Sequence, residues 1–263
     1  MKDTVTKFYD DFAEDYHLIH GDWDSAIDRQ SMILNNLIRV NLSDSRNGQI
    51  SLLDCSCGIG TQAIGLAKHG YVVTATDISP ASIQRAIRES ESRGIKIAFG
   101  VADFRTLISD VPGEFDVVLS ADNAIPHLQS DDDLNLAGQN MYSKVRQDGL
   151  LVVSIRDYDG LLQEKPRATK PNVFDNGKRI AFQVWDWADD SKTYTVNLFV
   201  VQEFNGNWET KHFSTTYRAL KRDELSSILR SCGFIDVRWH MPEESGFYQP
   251  IVTARKPPSP NGK

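Results

Sequence analysis

Asp54-Cys55-Ser56-Cys57-Gly58-Ile59-Gly60-Thr61 is the stretch on which the fold turns. It follows the apolar run 50–54 and precedes a helical segment at 62–69, so a strand hands the chain to a helix through small residues. Gly58 and Gly60 remove side chains that would hold a ligand off the backbone, and doubly wound sheets bind their cofactors at this carboxyl edge. Outward from the turn the rhythm repeats. Runs at 71–76, 95–101, 115–120 and 150–155 read as strands, with helices at 81–92 and 132–145 between them. Continuous apolar runs belong to strands covered on both faces, which predicts an α/β fold on a doubly wound parallel sheet.

The flanks read differently. Phe8, Phe12 and Tyr16 recur every fourth residue and predict one face of a helix, and Ile27, Ile33, Leu34, Leu37 and Ile38 predict a second, closed by turn signals over 41–48. Beyond residue 155 the pattern breaks into long, partly alternating segments at 179–187, 193–204 and 208–217, which predict an antiparallel β insertion. A helix at 221–231 and strands at 234–239 and 251–254 then complete the sheet. The expected organisation is a helical lid over 1–48, a cofactor-binding core over 49–156, the insertion over 157–218, the C-terminal part of the core over 219–256 and a disordered tail over 257–263.

Composition narrows the function. The chain has 263 residues, of which 40% are hydrophobic and 25% charged, as in ordinary globular proteins. A net charge of -7 without a basic run disfavours nucleic acid and anionic membrane, because tracking phosphates requires a positive field. No apolar stretch has the length of a membrane span, and the start MKDTVTKFYDD has no apolar signal core, so a cytoplasmic protein is expected. Cys55, Cys57 and Cys232 are too few for a disulfide framework, and the six scattered histidines form no metal motif. No metal is expected.

Successive strand ends suggest a nucleoside. Asp77 ends the second strand, where its carboxylate can accept both hydroxyls of a ribose. Asp103-Phe104 ends the third, offering an acceptor for an exocyclic amine and a flat face for a purine. A nicotinamide dinucleotide is the rival, because Gly58-Ile59-Gly60-Thr61-Gln62-Ala63 meets the loose GxGxxG/A fingerprint.

DCSCGIGTQ, TATDISPAS, VADF and FDVVLS together resemble the class I S-adenosylmethionine-dependent methyltransferases from about residue 50 to 155. Ser56 departs from the motif, standing where many members carry its first glycine. The resemblance implies a Rossmann-like, seven-stranded, mostly parallel sheet whose final strand is antiparallel, and S-adenosyl-L-methionine as cofactor. It places Ser56, Gly58 and Gly60 beside the methionine part, Asp77 with Ile78 at the ribose, and Asp103 with Phe104 at the adenine. Ser120 joins the same shell.

Two further segments resemble the glycine/sarcosine N-methyltransferase branch: Asp122-Asn123-Ala124-Ile125-Pro126-His127-Leu128 and Arg156-Asp157-Tyr158-Asp159. By that likeness Asn123 lies beside the acceptor's amino group, His127 braces the loop at the cofactor, and Arg156 holds a substrate carboxylate. Tyr9, Tyr16 and Arg29 fall where the branch closes over the cofactor, and Tyr158 either lines the acceptor pocket or packs beneath the insertion. Arg156 has a plainer reading as the ion-pair partner of Asp157 or Asp159. The inserted strands, with Trp185, Trp187, Tyr194 and Tyr217, form either a roof over the acceptor or a subunit contact in a homo-oligomer. Tyr248 reaches toward the pocket from the last hairpin. The expected activity is methyl transfer to the nitrogen of a small amine or amino acid. The alternatives are another small-molecule N- or O-acceptor, a nicotinamide oxidoreductase, and a noncatalytic nucleoside sensor.

Overall fold

The computed structural model describes residues 4–42 and 49–259. The expected turn over 41–48 falls mostly on 43–48, and the end of the expected tail on 260–263, both outside the described residues. In chain order, the first half is α1 (Thr4–Phe12), α2 (Trp23–Asn41), β1 (Ser51–Asp54), α3 (Thr61–Lys68), β2 (Val72–Asp77), α4 (Pro80–Ser92), β3 (Ala98–Val101), α5 (Leu107–Asp110), β4 (Phe115–Ser120), α6 (Asp131–Lys144) and β5 (Val145–Ser154). Then come α7 (Tyr158–Glu164), β6 (Asn172–Phe174), β7 (Arg179–Trp187), β8 (Thr193–Phe204) and β9 (Asn207–Arg218). The chain closes with α8 (Arg222–Ser231), β10 (Ile235–His240), α9 (Pro242–Ser245) and β11 (Ile251–Arg255).

The main sheet has seven strands in the order β10-β11-β5-β4-β1-β2-β3. Strands β1 to β5 pair in parallel, whereas β11 runs antiparallel to both β5 and β10. The order reverses beside β1, so the carboxyl ends of β1 and β4 diverge into a crevice where ligands of such sheets bind. All six residues of β4 are buried, which is the continuous-run signature of a central strand. Local chemistry sets the helix starts. Ser79 caps α4 with Pro80 in its first turn, and Ser130 caps α6, whose first turn carries Asp131, Asp132 and Asp133 against the helix dipole.

The second sheet is antiparallel in the order β6-β7-β8-β9. Tyr194, Val196, Leu198 and Val200 alternate as the buried side of β8, so one face of this sheet turns toward the protein interior. Phe8 and Phe12 of α1 pack on that face with Leu198 and Phe213. The expected long N-terminal helix is shorter than its spacing suggests. It ends at Phe12, a turn donates Asp15 N–H to the Phe12 carbonyl at 2.9 Å, and Tyr16 opens a separate 3-10 turn. The Phe12 and Tyr16 rings still lie 5.0 Å apart, because the turn preserves the side on which both point. Among the described residues, no helix is long and apolar enough to cross a membrane.

Helices α2 and α3 approach closely at Gly65, where an added Cβ would stand 2.4 Å from Ser31 Cβ and 2.9 Å from the Ile27 carbonyl oxygen. Overpacking of this kind costs about 1–3 kcal/mol. Gly65→Ala is expected to lower the urea midpoint without changing the slope of the transition, as read by circular dichroism.

Candidate active site

The turn after β1 opens a cavity of about 300 Å³ at the carboxyl ends of β1, β2 and β3. Gly58 has φ +52° and a Cβ there would meet nothing within 4 Å, so its backbone faces open space. Its N–H donates to Asp77 Oδ2 at 2.9 Å, while Ser79 N–H donates to Asp77 Oδ1 at 2.9 Å. These two bonds fix the carboxylate across the crevice between β1 and β2. Burial still pushes Asp77 up to about 6. Asp54 lies deeper, pushed up to about 8 by burial with the charges of Asp77 and Asp122 adding to it. Its Oδ2 is buried with no hydrogen-bond partner. At the far end, Asp103 is gripped by Arg105 through Nε at 3.0 Å and Nη2 at 2.6 Å, and Phe104 lies beside it in the cavity wall.

A second cavity of about 740 Å³ adjoins the first, beneath the buried face of the antiparallel sheet. Gln183 and Trp185 of β7, Val196 and Leu198 of β8, and Tyr217 of β9 form one wall, and Arg156 enters from the end of β5. The guanidinium donates to Tyr194 Oη at 2.8 Å and to Gln183 Oε1 at 3.2 Å. It lies 5.0 Å from the Trp185 ring centre and 5.1 Å from that of Tyr217. Among the described residues it has no ion pair; Asp157 and Asp159 instead pair with Arg222. The ion-pair reading of Arg156 is therefore corrected: α8 supplies a competing cation that takes both acids.

Tyr9, Tyr16 and Asp122 line both cavities and so form the doorway between them. Asp122 follows β4 with φ +60° and Asn123 with φ +66°, two successive left-handed residues. Ser154 at the end of β5 fastens this turn, its Oγ accepting Asp122 N–H at 2.9 Å and its carbonyl accepting Asn123 N–H at 3.2 Å. The Asp122 carboxylate accepts Gln62 Nε2–H at 2.7 Å and the Tyr248 hydroxyl.

The residues singled out from the sequence separate into groups. Ser56, Gly58, Asp77, Ile78, Asp103, Phe104, Tyr9, Tyr16 and His127 surround the first cavity. Gly60 and Ser120 do not line it. Gly60 has φ +97° and opens α3, where an added Cβ would meet Ile64 and Ala86, so it serves packing. Ser120 is fully buried and shares a 3.0 Å hydrogen bond with Ser56. Arg29 lines the second cavity instead of the first, because α2 carries it past the doorway. Asn123 and Tyr158 line neither. The Asn123 Oδ1 accepts Arg156 N–H at 3.0 Å and Tyr158 Oη–H at 2.9 Å, so both sit behind the wall and hold Arg156 in place. Of the two readings of Tyr158, the structure has it packed beneath the insertion, 3.1 Å from the Tyr194 hydroxyl. His127 lies 2.9 Å from the Tyr9 hydroxyl, and burial with the Arg156 charge pushes it down to about 3, leaving a neutral ring. Asp122, Gln62 and Gln183 were not singled out in the sequence; an acid directly after β4 was the one local signal.

The first cavity suits S-adenosylmethionine on this chain's own chemistry. Asp77 lines the cavity above Asp54 and its charge adds to the rise of the Asp54 carboxyl, and a ligand carrying a sulfonium would ease that crowding of acids.

Residues 52–149 match a family model described as a methyltransferase domain. Glycine/sarcosine N-methyltransferase of Parasynechococcus marenigrum is 29% identical over 170 residues, covering 64% of this chain and 58% of that protein. Glycine N-methyltransferase of Oryctolagus cuniculus is 32% identical over 175 residues, covering 62% of this chain and 57% of that protein. The chain thus spans less than two thirds of the length of either relative. The crystal structure of an S-adenosylmethionine-dependent methyltransferase from Clostridium acetobutylicum superposes with a TM-score of 0.72 at 16% identity, covering 95% of this chain and 99% of that one. That likeness is one of fold.

Asp77→Ala is expected to weaken S-adenosylmethionine binding by about 1–3 kcal/mol, through lost charge-assisted hydrogen bonds, in calorimetric titration. The raised carboxyls also set a pH dependence. Asp54 binds its proton more tightly folded than unfolded, so its contribution to stability is present below its unfolded value and is lost as pH rises through about 8. The ligand-free chain is expected to melt at a lower temperature at pH 8 than at pH 5.5, and Asp54→Asn to flatten that difference.

Proposed function

We propose that this class I S-adenosylmethionine-dependent methyltransferase carries a methyl group to the nitrogen of a small amine whose carboxylate docks on Arg156. The supporting observation is the pair of cavities joined at Tyr9, Tyr16 and Asp122, with a buried, carboxylate-free guanidinium on the far side. When bound, the cofactor supplies an electrophilic methyl group on a positively charged sulfur, which leaves as a neutral thioether.

The chain's contribution is placement. Ser56 and Gly58 would hold the methionine part through backbone, Asp77 the ribose hydroxyls, and Asp103 with Phe104 the adenine. Methyl transfer is an in-line displacement, so its catalysis rests on alignment of the nucleophile and exclusion of water. A planar guanidinium donates two parallel hydrogen bonds to a carboxylate and fixes which way the amine points. Arg156 is held for this by Tyr194, Gln183 and the flanking Trp185 and Tyr217 rings, and its backbone by Asn123. Tyr9 and Tyr16 cover the doorway from the N-terminal segment. The chamber of about 740 Å³ also has room for acceptors larger than glycine, which keeps other small-molecule acceptors as the second reading.

Incubation with labelled S-adenosylmethionine and a panel of glycine, sarcosine, phenylalanine and tyramine tests both readings. Label on the nitrogen of a carboxylate-bearing amine is the expected result; transfer confined to oxygen, or none, rejects it. Arg156→Lys is expected to lower kcat/KM for carboxylate-bearing acceptors by about 10- to 100-fold, since lysine loses the bidentate geometry, while cofactor affinity stays unchanged.

A further inference from the structure

An amine acceptor enters as ammonium near neutral pH and has no lone pair to offer until it loses a proton. The groups near the doorway that could take this proton are few. His127 is held neutral and weakly basic, and its Nε2 faces Tyr9. The phenols of Tyr9 and Tyr16 are raised well above their ordinary range by burial, so they stay protonated. Asp54 and Asp77 line or underlie the first cavity only. Among the described residues Asp122 is the one carboxylate that lines both cavities.

We propose that the Asp122 carboxylate receives the acceptor's ammonium at the doorway and takes its proton, freeing the nitrogen lone pair for methyl transfer. The inference rests on the N-methyl-transfer reading and assigns that site its base. Three observations carry it. The carboxylate stands where the two cavities meet, on the path between methyl donor and acceptor. Two donors from opposite sides orient it, Gln62 of α3 and Tyr248 of the loop before β11. Its backbone is held in a left-handed conformation by Ser154, whose Oγ in turn donates to Gln249 at 3.0 Å. Sparsely populated backbone maintained by this many contacts is characteristic of sites under functional constraint. Each carboxylate oxygen accepts one bond from the protein and keeps lone-pair capacity for a ligand.

The step balances. One ammonium N–H bond breaks, an O–H bond forms on Asp122, and the electron pair remains on nitrogen. The amine then forms its bond to the methyl carbon as the carbon–sulfur pair returns to sulfur, and Asp122 passes its proton to solvent. Burial raises the Asp122 carboxyl, although the bonds from Tyr248 and Gln62 pull it down, which moves its basicity toward that of the amine. The titratable groups that face it are Tyr248, Tyr16 of the N-terminal segment, Tyr217 of β9 and Asp54 of β1.

Asp122→Asn tests the assignment, because asparagine tolerates the left-handed backbone and keeps the shape of the side chain. The acceptor is whichever of glycine, sarcosine, phenylalanine or tyramine the wild type methylates fastest. Calorimetry with the demethylated cofactor, whose sulfur carries no charge, is expected to give affinities within about threefold of each other, reporting an intact fold. Binding of the acceptor to the complex with the demethylated cofactor is expected to weaken at least tenfold at pH 7. A base contributes about 10²- to 10⁴-fold, so kcat/KM is expected to fall at least 100-fold at pH 7. The deficit should shrink about tenfold per pH unit toward the pKa of the free amine, where neutral nucleophile is supplied by solution. A deficit equally deep at every pH, or activity near that of wild type at pH 7, overturns the proposal, as does loss of cofactor binding by the variant. A wild-type chain that methylates no amine overturns the N-methyl-transfer reading itself, and the base assignment falls with it.

Discussion

Charge buried without a counter-charge is the constraint around which this structure is arranged. Arg156 stands within the protein among a phenol oxygen, a glutamine amide and ring faces, with no carboxylate paired to it among the described residues. Asp77 and Asp122 are buried on the other side of the doorway, held mainly by backbone N–H groups, an amide and a phenol, with Asp54 beneath them pushed up to about 8. Neutral partners reduce the desolvation penalty of an ion without cancelling its field. The fold therefore keeps a negative crevice beside a positive chamber, each complementary to a ligand of opposite sign.

The polarity follows from strand order. Parallel strands β1, β2 and β3 end side by side, so Asp54, Asp77 and Asp103, each at or just beyond a strand end, converge on one crevice. Strand β5 ends beside β4, which brings Ser154 against the Asp122-Asn123 turn and carries Arg156 beyond it. Pairing of Ile251 with Ser154 then fixes where the loop before β11 can reach, and Tyr248 and Gln249 meet the same turn. The doorway is consequently assembled by the N-terminal segment, the β4 end, the β5 end and the last loop together.

That assembly explains what could be read in the sequence. The sheet was legible because its signals are local: apolar runs, the glycine turn after β1 and acids at strand ends. The insertion was legible from alternation, and β7 and β8 begin and end where the pattern placed them. Asn123 shows the limit. Its place after β4 was clear, but the left-handed backbone at 122 and 123 turns Asp122 to the cavities and Asn123 to the wall behind Arg156. Nothing local distinguishes an aspartate at such a turn from a solvated one. Its meaning comes from Gln62 and Tyr248, which lie 60 and 126 residues away.

The two cavities also divide the burden of specificity. On the proposed reading the cofactor side is built from backbone and from acids at strand ends, positions that the sheet itself dictates. The acceptor side takes Gln183, Trp185, Val196, Leu198 and Tyr217 from a separate antiparallel sheet, whose alternation lets each strand present one side chain in two to the chamber. Changing such a side chain reshapes the chamber without moving a strand of the main sheet, so acceptor choice can vary while the cofactor geometry stays fixed. Asp122 is the exception because it belongs to both. On the proposed reading a substitution there acts where donor and acceptor meet, whereas one at Arg156 acts on the acceptor side alone.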